Sequence, residues 1–162
     1  MLPPLQISAT RLPASRSRRL SAAASGAAGA CIAAKAVRSD VEVIGVQSAA
    51  APAAYRTWKE GRPVEDRMET FAEGLATRVS FELPQRIMRE HLDDFVLVSD
   101  DEIRTAMLHL IATTRNLAEA AGAASLAAAL SLRERLAGRR VAIVLSGGNV
   151  SPAQLSDLLA RR

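Results

Sequence analysis

Three short apolar runs punctuate a chain that is otherwise periodic at helical spacing. Residues 41–47 (VEVIGVQ), 95–98 (FVLV) and 141–145 (VAIVL) are rich in β-branched residues and bounded by charged or turn-forming ones. That is the pattern of strands buried on both faces. Behind the second run, Ser99-Asp100-Asp101-Glu102 reads as a capping box, with extra negative charge at the positive end of a helix. Ile103, Ala106, Met107, Leu110, Ile111, Thr114 and Leu117 then recur at helical spacing. Residues 120–137 predict a second, alanine-dense helix with Leu126, Leu130 and Leu136 as bulky contacts and Gly138 as its C-terminal cap. Residues 29–37 predict a short helix packed closely on the first strand. Ser151-Pro152 opens a last helix whose apolar face is Leu155, Leu158 and Leu159.

The middle of the chain is less regular. Residues 49–63 contain Pro52, Gly61 and Pro63 and predict mostly loop with one helical turn; 68–76 and 84–92 predict short helices. Strands alternating with helices give an α/β fold, with a mainly parallel sheet of three to four strands and helices on both faces.

The chain has 162 residues, room for one ordinary domain, and at 49% hydrophobic and 23% charged it has a globular balance. No apolar run reaches the length of a membrane span, and residues 21–34, mostly alanine, are closed by Lys35. A lone Cys31 excludes a disulfide framework and a cysteine-based zinc site; it reads as a small core residue. The net charge of +4 is unevenly spread. Residues 1–39 hold six basic residues and no acid, whereas the rest holds fifteen basic against seventeen acidic, so the body is nearly neutral. With 3% aromatic residues as well, a nucleic-acid surface is not expected.

Residues 1–25 are expected to be a disordered or non-native segment outside the fold, and 26–162 to be the domain. Residues 1–19 are rich in Arg and Ser, with Pro3, Pro4 and Pro13. Two readings stay open for this head: an organellar transit peptide, or a disordered tail or mis-started stretch. The expected location is cytoplasmic on the second reading and organellar on the first.

In a parallel sheet, ligands bind beyond the carboxyl ends of the strands. After the third run stands Ser146-Gly147-Gly148-Asn149, where glycines let backbone approach a flat ligand and a hydroxyl can donate or accept. The ordered motifs are IGVQ (44–47), FAEGLAT (71–77), DDFVLVSDDEI (93–103), LAEAAGAASLAAAL (117–130) and VAIVLSGGN (141–149). This series resembles the threonine dehydratase and serine racemase family, pyridoxal-phosphate enzymes of the tryptophan synthase β-like fold. The resemblance runs from about residue 29 onward and corresponds to the second half of a family member, a partial large domain.

The resemblance implies roles. The serine of SGGN hydrogen-bonds the pyridine nitrogen of the cofactor and maps to Ser146, with Gly147 beside it. The cofactor-lining glycine of an ADG-like motif maps to Gly74, and the glutamate of an EPAGA-like motif to Glu119. It also implies parts that this sequence does not carry. The Schiff-base lysine lacks a counterpart, since the two lysines, Lys35 and Lys59, stand in other contexts. The tetraglycine phosphate loop falls on Ala22-Ala23-Ala24-Ser25, where alanine disfavours the positive φ that glycine adopts freely. The divalent-cation site of some members has its glutamate position at Gln47 and its aspartate position near Ala53, so no metal is expected.

His91 and His109 have no ligand partner at metal spacing, and Tyr55 and Trp58 are left to pack or to contact a partner. The implied activity is pyridoxal-phosphate-dependent dehydration of L-threonine or L-serine, racemization being the alternative, with no catalytic residue assigned in this chain. A non-catalytic remnant, or a subunit completed by a partner chain, is the other reading. An exposed sheet edge predicts self-association as a homo-oligomer.

Overall fold

The computed structural model describes residues 17–22 and 24–160. Among these residues are four strands, β1 (Ser17–Ala22), β2 (Glu42–Ser48), β3 (Asp94–Val98) and β4 (Arg140–Ile143). They form one sheet in the order β3-β2-β1-β4, with every pair parallel. The helices are α1 (Ala24–Val37), α2 (Ala53–Glu60), α3 (Glu82–His91), α4 (Asp100–Thr114), α5 (Ala120–Ser131) and α6 (Pro152–Ala160).

The central position of β1 corrects the sequence reading. Residues 17–22 are expected outside the fold, yet they pair with β2 through Arg18–Glu42 to Ala22–Val46 and with β4 through Ser17–Arg140 to Leu20–Ile143. SRRLSA has neither an apolar run nor clean alternation, so pattern alone does not reveal it; backbone pairing on both sides makes it a strand. The remainder of the expected segment, residues 1–16 and 23, lies outside the described residues.

The side chains of β2 alternate between two cores. Val43 joins Cys31, Met88 and Phe95 beneath α1 and α3, while Ile44 and Val46 join Val98, Leu110 and Leu126 beneath α4 and α5. Helices therefore cover both faces, as expected. Gly45 makes room for this packing: a Cβ there would lie 3.0 Å from both Leu92 and Phe95 side-chain atoms. Tyr55 and Trp58 pack edge-on against Phe95, at 5.8 and 6.0 Å between ring centroids. The Trp58 Nε1 donates to Met88 O at 3.1 Å. Both aromatics are thus core-facing contacts.

Other local expectations are revised. Residues 49–63 form an eight-residue helix, α2, entered at Pro52 and stopped by Gly61 at φ 70°. That start-and-stop pair is the sequence signal for it. Residues 68–76 contain only a 3₁₀ turn (Glu73–Leu75), because Glu69 N donates to Ala50 O and Phe71 N to Asp100 instead of to an i−4 carbonyl. Helix α5 ends at Ser131; residues 132–139 continue as turns, with Leu136 N donating to Leu132 O at 2.9 Å, and Gly138 (φ 70°) closes them rather than the helix. Leu117 lies past the end of α4, where Arg115 takes φ 60°. On α6 only Leu158 is buried.

The capping box before α4 is complete. Ser99 Oγ accepts from Glu102 N at 3.2 Å and Ser99 N donates to Glu102 Oε2 at 2.7 Å.

Candidate functional site

All four strands run the same way, so Ala22, Ser48, Val98 and Ile143 end at one edge of the sheet. The winding reverses between β1 and β4: α1 leads from β1 to its neighbour β2, whereas α4 and α5 lead from β3 across to β4. Such a reversal is where the connections diverge to opposite faces and leave a crevice at the carboxyl ends. Two features leave the sheet there, the 146–149 turn after β4 and the amino end of α1 after β1.

Ser146 is exposed, and its hydroxyl has no hydrogen-bond partner among the described residues. The start of α5 holds the turn that carries it. A Cβ at Gly122 would lie 2.1 Å from Ser146 O, so α5 and the turn touch backbone to backbone. Ser125 Oγ adds a bond to Val144 O at 3.1 Å. Gly147 takes φ 71°, and a Cβ there would meet the Glu119 carboxylate at 2.3–2.4 Å.

Glu119 is the N-cap residue of α5, but its side chain caps nothing. Instead its carboxylate accepts from Asn149 N at 3.2 Å, while its own N–H donates to Gly147 O at 3.3 Å. It grips the turn on both sides of Gly148. A carboxylate here also meets the positive end of the helix macrodipole.

Gly74 arrives from the 3₁₀ turn. A Cβ there would lie 2.8 Å from Ala121 Cβ and 3.8 Å from Glu119 Oε1. Gly74, Glu119 and Gly147 therefore converge, with Ser146 next to them across from Gly122. A cleft of about 530 Å³ shares Gly74, Glu119 and Asn149 with this cluster and continues between α4 and α6. On its wall the Arg104 guanidinium stacks 4.2 Å from the Phe71 ring centroid.

Two residues that sequence reasoning does not assign to the site fix the segment bearing Gly74. Buried Gln47 donates from Nε2 to Ala51 O (2.9 Å) and Leu75 O (2.8 Å). Asp100 accepts from Ser48 Oγ, Thr70 Oγ1 and Phe71 N. Asp100 is legible only as the first residue of a helix that follows a strand end, which is the ligand edge of such a sheet.

Both lysines are engaged elsewhere. Lys35 lies eleven residues into α1, about 16 Å along its axis from the ligand edge. Its Nζ donates to Asp93 Oδ2 at 2.7 Å, just before the opposite end of β3. Lys59 sits over the rings of Trp58 and Tyr55, at 5.3 and 5.9 Å. β1 ends at Ala22 and α1 starts at Ala24, and residues 22–25, onto which the resemblance puts the phosphate loop, contain no glycine.

Burial pushes the Cys31 thiol up to about 11, with Asp93 adding to the rise and Lys35 opposing it. Among the described residues no group of three or more His, Cys, Asp and Glu could hold a metal ion, and no helix is long and apolar enough to cross a membrane.

Residues 21–147 match the family described as pyridoxal-phosphate dependent enzyme. The L-threonine ammonia-lyase of Thermotoga maritima is 35% identical over 134 residues, 81% of this chain and 33% of that protein. The serine racemase of Schizosaccharomyces pombe is 30% identical over 134 residues, 82% of this chain and 42% of that protein. Among solved structures, the processed form of threonine deaminase isoform 2 from Solanum lycopersicum superimposes with a TM-score of 0.81 at 25% identity, covering 90% of this chain and 43% of that one. The serine racemase of Dictyostelium discoideum gives 0.76 at 28% identity, covering 85% and 45%. The chain thus spans less than half the length of each of these relatives. It belongs to the pyridoxal-phosphate-dependent enzyme family, in the tryptophan synthase β-like fold that threonine dehydratases and serine racemases share.

Proposed function

We propose that this chain forms the ring-side wall of a pyridoxal-phosphate site in a dehydratase of L-threonine or L-serine, an ammonia-lyase turning a β-hydroxy amino acid into a 2-oxo acid and ammonia. One observation carries the reading: a free Ser146 hydroxyl at the end of β4, at the winding reversal, on a turn gripped by Glu119.

The residues on the ring side fit the group. Ser146 would hold the ring nitrogen by a hydroxyl hydrogen bond, leaving that nitrogen largely unprotonated. Gly147 and Gly74 keep Cβ atoms out of the wall, and Glu119 holds the turn in place. The cofactor, when bound, supplies the electron sink that loss of a β-hydroxyl requires.

At the covalent anchor the residues do not fit. Lys35 is paired with Asp93 at the far edge and Lys59 rests on two aromatic rings. The 22–25 junction also lacks the glycines of a phosphate cradle. We therefore assign the nucleophilic amine to a source outside these 162 residues, and the chain alone is expected to be inactive as a lyase.

The test is incubation with pyridoxal phosphate, borohydride reduction and peptide mapping. The account expects no lysine to be labelled preferentially, and Lys35→Ala and Lys59→Ala to leave the visible absorbance unchanged. A stoichiometric label on either lysine that tracks with dehydratase activity would refute it.

A further inference from the structure

We propose that the cleft between α4 and α6 is a second binding site, taking a zwitterion with an apolar body, its carboxylate on Arg104 and its ammonium on Glu73. The cleft holds about 530 Å³, within the range of small-molecule sites. Gly74, Glu119 and Asn149 form its boundary with the β4-end turn, but Ser146 and Gly147 do not line it. A ligand here is therefore separate from one held by the Ser146 hydroxyl.

Arg104 is the cation of this lining, and it is held ready. The Phe71 ring lies 4.2 Å from its guanidinium, Nη1 donates to Asp101 Oδ1 at 2.9 Å, and the side chain is 22% exposed. Stacking on one face and an ion pair at one corner fix the guanidinium plane. Nε and Nη2 keep no hydrogen-bond partner among the described residues. Those two groups form one edge of the planar fork, the edge that a carboxylate fills with two parallel bonds. Asp101 is itself largely exposed, so its pairing with Arg104 is weak competition.

A simple anion does not suit the rest of the lining. Glu73 and Glu119 face the same space, and Asp157, which has a partner of its own, is a third carboxylate. Glu119 is committed to Asn149 N, whereas the Glu73 carboxylate is exposed and accepts from no described residue. One cation against three acids leaves the lining negative. An occupant that brings a carboxylate to Arg104 must therefore bring a positive group as well. Between the charges the walls are apolar, made by Phe71, Met107, Val150, Ala153 and Leu158. A free carboxylate, a free ammonium and a short hydrocarbon body belong to an aliphatic amino acid or to a short apolar peptide, and both present the same chemistry to the cleft.

Binding here needs no cofactor, so it holds or fails separately from the lyase reading. Amide shifts of the full chain are followed on titration with norvaline and with glycyl-leucine. At least one should give saturable perturbations centred on residues 71–74, Arg104 and residues 153–154, and the tighter of the two tells a free amino acid from a peptide. Capping that ligand's ammonium by acetylation, or its carboxylate by amidation, should weaken binding about tenfold or more, as should Arg104→Met and Glu73→Gln. The capped ligands are read on the unaltered chain, so the outcome does not depend on how well Arg104→Met folds. No saturation by either ligand up to about 100 mM would overturn the proposal. So would equal affinity for the zwitterion and its two capped forms, or perturbations centred on Ser146 and Gly147 instead.

Discussion

Alanine at Gly122 should destabilise the protein, against the usual rule for helices. In a helix interior, Gly→Ala gains about 1 kcal/mol from helix propensity. Gly122 lies in the first turn of α5, but its added Cβ would stand 2.1 Å from Ser146 O and 3.1 Å from Ser146 C and N. These are backbone atoms, so no rotamer change relieves the contact; the turn must retreat. Overpacking of this kind costs about 1–3 kcal/mol. The retreat also stretches the bonds from Glu119 N to Gly147 O and from Ser125 Oγ to Val144 O, each worth about 1 kcal/mol. The net expectation is a loss of about 1–3 kcal/mol. Gly29 is the internal control, since a Cβ there meets nothing within 4 Å on an exposed face of α1, so Gly29→Ala should gain about 0.5–1 kcal/mol. Urea denaturation of both variants and the parent measures the two effects side by side. Stabilisation of Gly122→Ala equal to that of Gly29→Ala, with an unchanged denaturant slope, would refute the close approach of α5 to the turn.

Further expectations follow from the same structure. Ser99→Ala removes one arm of the capping box and should cost about 1 kcal/mol by denaturation. Burial works to raise the Glu102 pKa, but hydrogen bonds from Ser131 and Ser99 outweigh it and hold the carboxyl low. Its stabilising contribution is thus present above the unfolded-state pKa and lost as pH falls through the folded one; unfolding curves at decreasing pH should show that loss, and Glu102→Gln should blunt it. Cys31 has the opposite sign. Its thiol stays protonated to about 11 in the fold against 9.0 for the free group, so stability should fall as pH rises past 9, by about 2–3 kcal/mol at most. Cys31→Ala should abolish that slope. Among the described residues β4 pairs only with β1, and Val144 and Leu145 beyond it are exposed, so sedimentation should find self-association and a clean monomer would count against an open edge.

Much of this fold is legible in the sequence because three of its strands are nearly continuous apolar runs and α4 carries its own capping box. β1 is not, since SRRLSA gains its place only by pairing with β2 and β4, a long-range fact absent from local pattern. The 68–76 helix does not form for a related reason: Ala50 O and Asp100 outcompete the helical acceptors for Glu69 N and Phe71 N. At the candidate site, the motif order names Ser146, Gly147, Gly74 and Glu119, and the structure brings them to one edge. It could not name Asp100 or reveal that Gln47 reaches Leu75, because those contacts span 30 and 28 residues.

The central proposal is that the β4-end turn faces a flat cofactor ring while neither Lys35 nor Lys59 reaches it. Backbone amide shifts on titration with pyridoxine phosphate, which lacks the aldehyde and cannot bond a lysine, test it most directly. The account predicts perturbations centred on Ser146, Gly147 and Gly74, weakened in Ser146→Ala and unaffected in Lys35→Ala and Lys59→Ala. Perturbations centred on α2 or on the carboxyl end of α1, and lost with either lysine, would contradict it.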